Sequence, residues 1–106
     1  MKIISYNVNG IRAALKKGFA EWLAANDFDI VCLQETKATR DQVDLSSIEE
    51  LGYQSVWHSA QKKGYSGVAT FYKTPPKLTE AGIGFEQYDN EGRVLRTDFD
   101  DFTLLN

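Results

Sequence analysis

Ile30, Val31, Cys32 and Leu33 form an unbroken apolar run of strand length. A strand apolar on both faces is covered on both, as at the centre of a parallel or mixed α/β sheet. A second strand pattern occupies residues 2–8, from Lys2-Ile3-Ile4 to Tyr6-Asn7-Val8. Between the two, Leu15, Phe19, Trp22 and Leu23 share one face at helical spacing. They predict a helix over about residues 13–25, stopped by Asn26-Asp27. Strand, helix and strand within roughly 30 residues make a βαβ unit with parallel strands and a right-handed crossover. Both carboxyl ends then lie at one edge of the sheet, where open α/β sheets place their ligands. Asn7 closes the first strand and Glu35 follows the second, so the topology predicts that they are neighbours.

Beyond residue 50 the pattern changes. Residues 53–58, 67–72, 78–83, 93–99 and 102–106 read as strands, with a short helix expected near 46–51. Turn signals separate them: Lys62-Lys63-Gly64-Tyr65-Ser66-Gly67, Thr74-Pro75-Pro76 and Asp89-Asn90-Glu91-Gly92. The expectation is an antiparallel meander added to the βαβ start. At 106 residues the chain allows one domain. A domain of this size buries roughly 65% of the surface its unfolded chain exposes. The final apolar segment, Phe102 to Asn106, has no polar tail, and residues 1–106 are read as a single incomplete domain truncated at its C-terminus.

The net charge of −3 counts against a general polyanion binder, although a local basic face suffices for phosphate contact. No run approaches the ~20 apolar residues of a membrane span, and no signal peptide is visible, so a cytoplasmic or nucleoid-associated protein without a membrane partner is expected. Cys32 is the single cysteine, lies mid-strand and is read as a core residue. Glu35 is a hard oxygen ligand. With an Asn amide beside it, it suits Mg²⁺ (or Mn²⁺ in its place), which takes one or two carboxylates, keeps waters and uses substrate phosphate oxygens. One His and one Cys in no ligand spacing suit zinc poorly. Arg12, Lys16 and Lys17 in one segment, and Lys62 and Lys63 in another, are candidates for phosphate contact. Tyr65, between glycines, is a candidate for stacking on a base or entering a groove.

Four blocks give the chain a specific resemblance. They are Ile3 to Arg12 with its Asn9-Gly10-Ile11-Arg12 turn; Asp29 to Lys37 with Leu33-Gln34-Glu35-Thr36-Lys37; Gly64-Tyr65-Ser66-Gly67-Val68-Ala69; and Glu91-Gly92-Arg93-Val94. In this order they resemble the amino-terminal part of the exonuclease III family of apurinic/apyrimidinic endonucleases. The resemblance implies a four-layer α/β sandwich of the DNase I-like type. It also implies Mg²⁺-dependent phosphodiester hydrolysis of DNA, with incision 5′ to abasic sites, 3′-to-5′ exonuclease action, or both, in base excision repair.

Carried over by position, Glu35 is the metal ligand, and Asn7 belongs to the catalytic and metal environment. Asn9, Arg12, Ala13, Lys16 and Lys17 match DNA-contact positions, as do Gly64 and Tyr65, while Gln34 and Lys37 support Glu35. The implied partner is double-stranded DNA with abasic or 3′-blocked ends. Family members are longer and place further catalytic residues in a second half. The 106-residue chain alone is therefore expected to be inactive, and to self-associate through an uncovered inner sheet face or need that half in trans. Two alternatives remain: another phosphodiesterase of the same superfamily, or a non-catalytic DNA-binding or assembly module.

Overall fold

The computed structural model describes residues 1–106. The apolar run at 30–33 becomes β2 (Ile30–Gln34), preceded by β1 (Ile3–Asn7). The two pair in parallel, with Ile3 opposite Ile30 and Asn7 opposite Gln34. The crossover is two helices, α1 (Ile11–Lys16) and α2 (Phe19–Asn26), where one helix over 13–25 was expected. The break falls at Gly18, whose φ of 100° places it in the left-handed region that ends a helix. The apolar stripe survives the break, since Phe19 and Leu23 are buried against the sheet.

A 3₁₀ turn (Arg40–Gln42) and a short helix α3 (Ser46–Glu49) lead to β3 (Gln54–His58) and β4 (Val68–Tyr72). β4 inserts antiparallel between β2 and β3, giving the order β1-β2-β4-β3. All five residues of β4 are buried, as a central strand requires.

The expected meander does not extend this sheet. β5 (Leu78–Ala81), β6 (Leu95–Asp98) and β7 (Thr103–Leu105) form a separate antiparallel sheet, with α4 (Glu86–Asp89) between β5 and β6. Strand patterns alone do not say where a meander changes sheet, because local alternation is the same in either case.

Two apolar clusters flank the first sheet. On the outer face Val31, Leu33, Ala69 and Phe71 pack with Phe19, Leu23, Ile48 and Tyr53. On the inner face Ile30, Cys32 and Tyr72 meet Val56, Phe99, Phe102 and Leu104. The second sheet thus covers the middle of the inner face, in place of the uncovered face expected from the sequence. Apolar exposure falls on edge strands, with Ile3 on β1 at 45% and Leu105 on β7 at 68%, and on the β5–β6 connection, where Ile83, Phe85 and Tyr88 are exposed.

Phe71 is 1% exposed and faces Trp57 edge-on with ring centroids 5.9 Å apart. Phe71→Ala is expected to cost about 3–5 kcal/mol in urea unfolding. Leu78→Ala, on a side chain 51% exposed, is expected to stay within about 0.5 kcal/mol of wild type.

Candidate active site at the β1 and β2 strand ends

Level register brings the segments after β1 and β2 together. Val8 N–H donates to the Gln34 carbonyl (3.1 Å), Gly10 N–H to that of Glu35 (2.8 Å) and Ile11 N–H to that of Thr36 (3.0 Å). The 66–67 turn closes the other side, with Thr36 N–H donating to Gly67 O (3.1 Å) and Lys37 N–H to Ser66 O (2.8 Å). The Glu35 segment is therefore held between two backbone neighbours.

The side chains of Asn7, Asn9, Glu35 and Lys37 converge there. The Asn7 amide nitrogen donates to Glu35 Oε2. Its Oδ1 accepts from the Asn9 backbone N–H at 3.0 Å. A backbone N–H can only donate, so it fixes which end of the amide is oxygen and leaves the NH₂ facing the carboxylate. Lys37 Nζ donates to Asn9 Oδ1 (2.6 Å) and lies 4.0 Å from Glu35 Oε1. The Glu35 and Lys37 side chains are 42% and 38% exposed, so a solute reaches both.

The backbone here is unusual. Asn9, Glu35, Lys37 and Ser66 have φ of 49°, 54°, 55° and 52°. The left-handed region costs an L-residue about 1–2 kcal/mol. Such residues persist where surrounding contacts over-determine them, and they concentrate at functional sites. Gly67, at φ 90°, is needed for space as well, because a Cβ there would collide with Thr36 Oγ1. That hydroxyl is buried without a hydrogen-bond partner.

The other residues singled out from sequence frame this cluster. Arg12 and Ala13 are exposed in the first turn of α1, next to the Ile11 anchor. Lys16 and Lys17 are exposed at the far end of that helix. Gly64 is exposed in the loop leading into the 66–67 turn. Tyr65 is half-buried there: its hydroxyl donates to Glu91 Oε1 (3.0 Å) and accepts from Arg93 Nη2 (2.8 Å). Lys62 and Arg93 both lie over its ring, at 5.3 and 5.6 Å from the centroid. The loop thus presents a pinned ring flanked by cations, beside an open cleft of about 350 Å³ that Lys62 and Lys63 help to line.

Gln34 points to the inner face, where its Nε2 donates to Ser5 Oγ (3.0 Å) and Asn106 Oδ1 (2.9 Å). Sequence reasoning missed Asn106 and the Tyr65–Glu91 contact. Both depend on segments far apart in the chain, although Glu91 and Arg93 stand in a block that sequence reading had marked. His58 is absorbed structurally, with Nδ1 3.0 Å from Val94 O.

The donor set is sparse. No three His, Cys, Asp or Glu side chains group as a metal cage. Glu35 offers one accessible carboxylate with Oε2 held by Asn7 and Oε1 facing outward to Lys37. That fits a cation that takes a single protein carboxylate and completes its shell with water and phosphate oxygens. Asn7 stands beside Glu35 as expected, with its nitrogen on Glu35 Oε2 and its Oδ1 accepting the Asn9 N–H, so it orients the carboxylate.

A family model described as "Endonuclease/Exonuclease/phosphatase family" matches residues 4–106. The chain belongs to that family. It is 48% identical over 106 residues to an exodeoxyribonuclease of Bacillus subtilis, covering 99% of this chain and 41% of that protein. It is 44% identical over 107 residues to the DNA repair nuclease APEX1 of Danio rerio, covering 99% of this chain and 34% of the relative. Among solved structures, an AP endonuclease from Archaeoglobus fulgidus superposes with a TM-score of 0.85 at 31% identity, covering 100% of this chain and 40% of that one. A Neisseria 3′-phosphatase bound to a product DNA hairpin gives 0.84 at 29% identity, with the same coverages. The chain thus spans about two fifths of the length of such relatives. The mixed α/β architecture is that of this nuclease fold. No helix is long and apolar enough to cross a membrane.

Two outcomes check the geometry. Glu35→Gly relieves the left-handed strain and Glu35→Ala does not, so the glycine variant is expected to be the more stable by about 1 kcal/mol in urea unfolding. Burial pushes the Cys32 thiol up to about 11. It stays protonated at pH 8, so iodoacetamide is expected to label it only after urea unfolding, as followed by mass spectrometry.

Proposed function

We propose that the Glu35 cluster is the divalent-cation half of a DNA phosphodiesterase site, acting 5′ to abasic sites, at blocked 3′ ends, or both, in DNA repair. The observation that carries this reading is the Glu35 carboxylate, borne on a left-handed backbone and oriented by Asn7 at two level strand ends. Family membership and the DNA-repair names of the relatives support it. Glu35 would hold Mg²⁺, or Mn²⁺ in its place. When bound, such an ion polarises a phosphoryl oxygen and offsets the charge that develops on the phosphate.

The chain's own residues set the stage for that chemistry. Asn7 keeps the carboxylate turned to its task and removes the rotamer freedom that a bare strand-end Glu would retain. Lys37 is held by Asn9 close to Glu35, where it stands ready to meet an anionic substrate. Arg12, Lys16 and Lys17 on one side, and Lys62 and Lys63 on the other, give phosphate contacts along a duplex without reading its sequence. Tyr65 is held by Glu91 and Arg93 as a rigid wall of that surface, with Gly64 exposed beside it. Hydrolysis also needs an in-line nucleophile and a general base. Glu35 is the only carboxylate of the cluster and His58 is tied to Val94. The 106 residues by themselves are therefore expected to bind DNA and turn it over poorly.

The test uses the longest natural form of the protein with an abasic duplex, a 3′-phosphate duplex and a phosphoinositide as substrates. Cleavage of the two DNAs and not the lipid is expected, with Glu35→Gln lowering kcat/KM by about 10²–10³. Preference for the lipid would transfer the site to another phosphodiesterase class. DNA binding without cleavage would leave a binding module. Lys62→Ala with Lys63→Ala is expected to flatten the slope of log affinity against log salt by about 2, since each phosphate contact contributes about 0.9.

A further inference from the structure

Asn106 is far from Gln34 in sequence but bonded to it in space, one residue before Glu35. Its backbone belongs to the second sheet, exchanging hydrogen bonds with Leu95 on β6: Leu95 N–H donates to Asn106 O (2.7 Å) and Asn106 N–H to Leu95 O (2.8 Å). Leu95 is fully buried, so this anchor is firm. The Asn106 side chain reaches into the first sheet. Its Nδ2 lies 2.9 Å from Ala69 O, 3.1 Å from Thr70 Oγ1 and 3.3 Å from Leu33 O. Leu33 and Ala69 face each other across the β2–β4 ladder, one residue before its end. The amide therefore clips the two central strands at the level where they release the site loops.

The other end of the amide continues the chain of contacts. Asn106 Oδ1 accepts from Gln34 Nε2 at 2.9 Å, and the same nitrogen lies 3.0 Å from Ser5 Oγ on β1. Asn106, Gln34 and Ser5 thus link β4, β2 and β1 across the inner face. The link ends one residue before Glu35 and two before Asn7. Glu35 holds a left-handed backbone, which springs back unless its flanks are fixed. Packing alone would not require an amide in this place. An aliphatic side chain would staple the sheets as well but would remove the 2.9 Å contact that ties Gln34 to the second sheet, leaving Gln34 only its partners Ser5 and Cys32 within the first.

We propose that Asn106 is a positioning residue of the Glu35 site, which transmits the fixed seat of the second sheet through Gln34 to the carboxylate. The proposal rests on the reading of Glu35 as a cation ligand. Groups that hydrogen-bond a metal ligand typically carry 10–100-fold in metal affinity; Asn106 acts one step further out, through Gln34, so the low end of that range is its expected share. A merely structural staple would carry none.

The experiment measures Mn²⁺ binding directly, by electron paramagnetic resonance of the free ion, alongside thermal unfolding of the same samples. The variants are Asn106→Ala, Gln34→Ala, the double variant, Glu35→Gln, and Leu45→Ala as a control in the outer cluster, where Leu45 is 6% exposed. Asn106→Ala is expected to weaken Mn²⁺ by up to about tenfold, the low end for groups that bond a ligand directly. The double variant is expected to be no weaker than the worse single one, as for members of one network. Leu45→Ala is expected to lower the melting temperature with Mn²⁺ affinity unchanged. Should Asn106→Ala not fold, Gln34→Ala carries the same test from the other end of the contact.

A melting temperature that falls in Asn106→Ala while Mn²⁺ affinity holds overturns the positioning role and leaves the Glu35 reading intact. Equal Mn²⁺ binding by wild type and Glu35→Gln, or none by wild type, overturns the cation reading and this proposal with it.

Discussion

Parallel pairing of β1 with β2 keeps Asn7 level with Gln34, and the candidate site hangs from that register. Side chains alternate along a strand, so Ile3, Ser5 and Asn7 share the inner face while Ile4 and Tyr6 turn to the helices. A slip of one residue would exchange the two sets and carry the Asn7 amide away from Glu35. What prevents the slip is burial. Val31 and Leu33 are fully buried on the outer face, while Ile30 and Cys32 are nearly so on the inner one. The hydrophobic term that folds the sheet therefore also sets the alignment of two polar side chains, at no separate cost in affinity between them.

Around this register the chain accumulates strain and then contains it. Four non-glycine residues with positive φ cluster at the strand ends and in the 66–67 turn. At about 1–2 kcal/mol each they are a large fraction of a small domain's stability. Backbone hydrogen bonds from Gly10, Ile11, Thr36 and Lys37 hold the segment from both sides. The unpartnered Thr36 hydroxyl against Gly67 shows how closely the two turns approach. On the proposed reading, a carboxylate fixed in this way would meet a cation with little left to reorganise, which is the condition under which a single ligand is effective.

Much of this was legible in the residues. The apolar run 30–33, the stripe of Phe19 and Leu23, and the parallel crossover all follow from periodicity, and the structure has them. Glu35 and Asn7 as neighbours follow from topology. The broken helix was not legible, because Gly18 is tolerated inside a helical pattern and only its φ reveals a boundary. Nor was the change of sheet after β4, which leaves local alternation untouched. Tyr65 illustrates the gap most plainly. Its position between glycines suggests a ring that stacks on a base or enters a groove, and says nothing of Glu91 and Arg93, 26 and 28 residues away, which hold its hydroxyl.

Which residue types stand at the strand ends can be read along the chain, because strand length, apolar burial and crossover are local properties of the pattern. The family can be read there too, since four short blocks in order are enough to carry it. How those residues act depends on contacts that the fold makes between distant segments. Asn7 faces Glu35 with its nitrogen because a backbone N–H claims its oxygen. Asn106 reaches Gln34 because a second sheet folds back over the first. Both outcomes rest on hydrogen-bond geometry between segments that are remote along the chain, and no local pattern encodes the direction of a donor across such a distance.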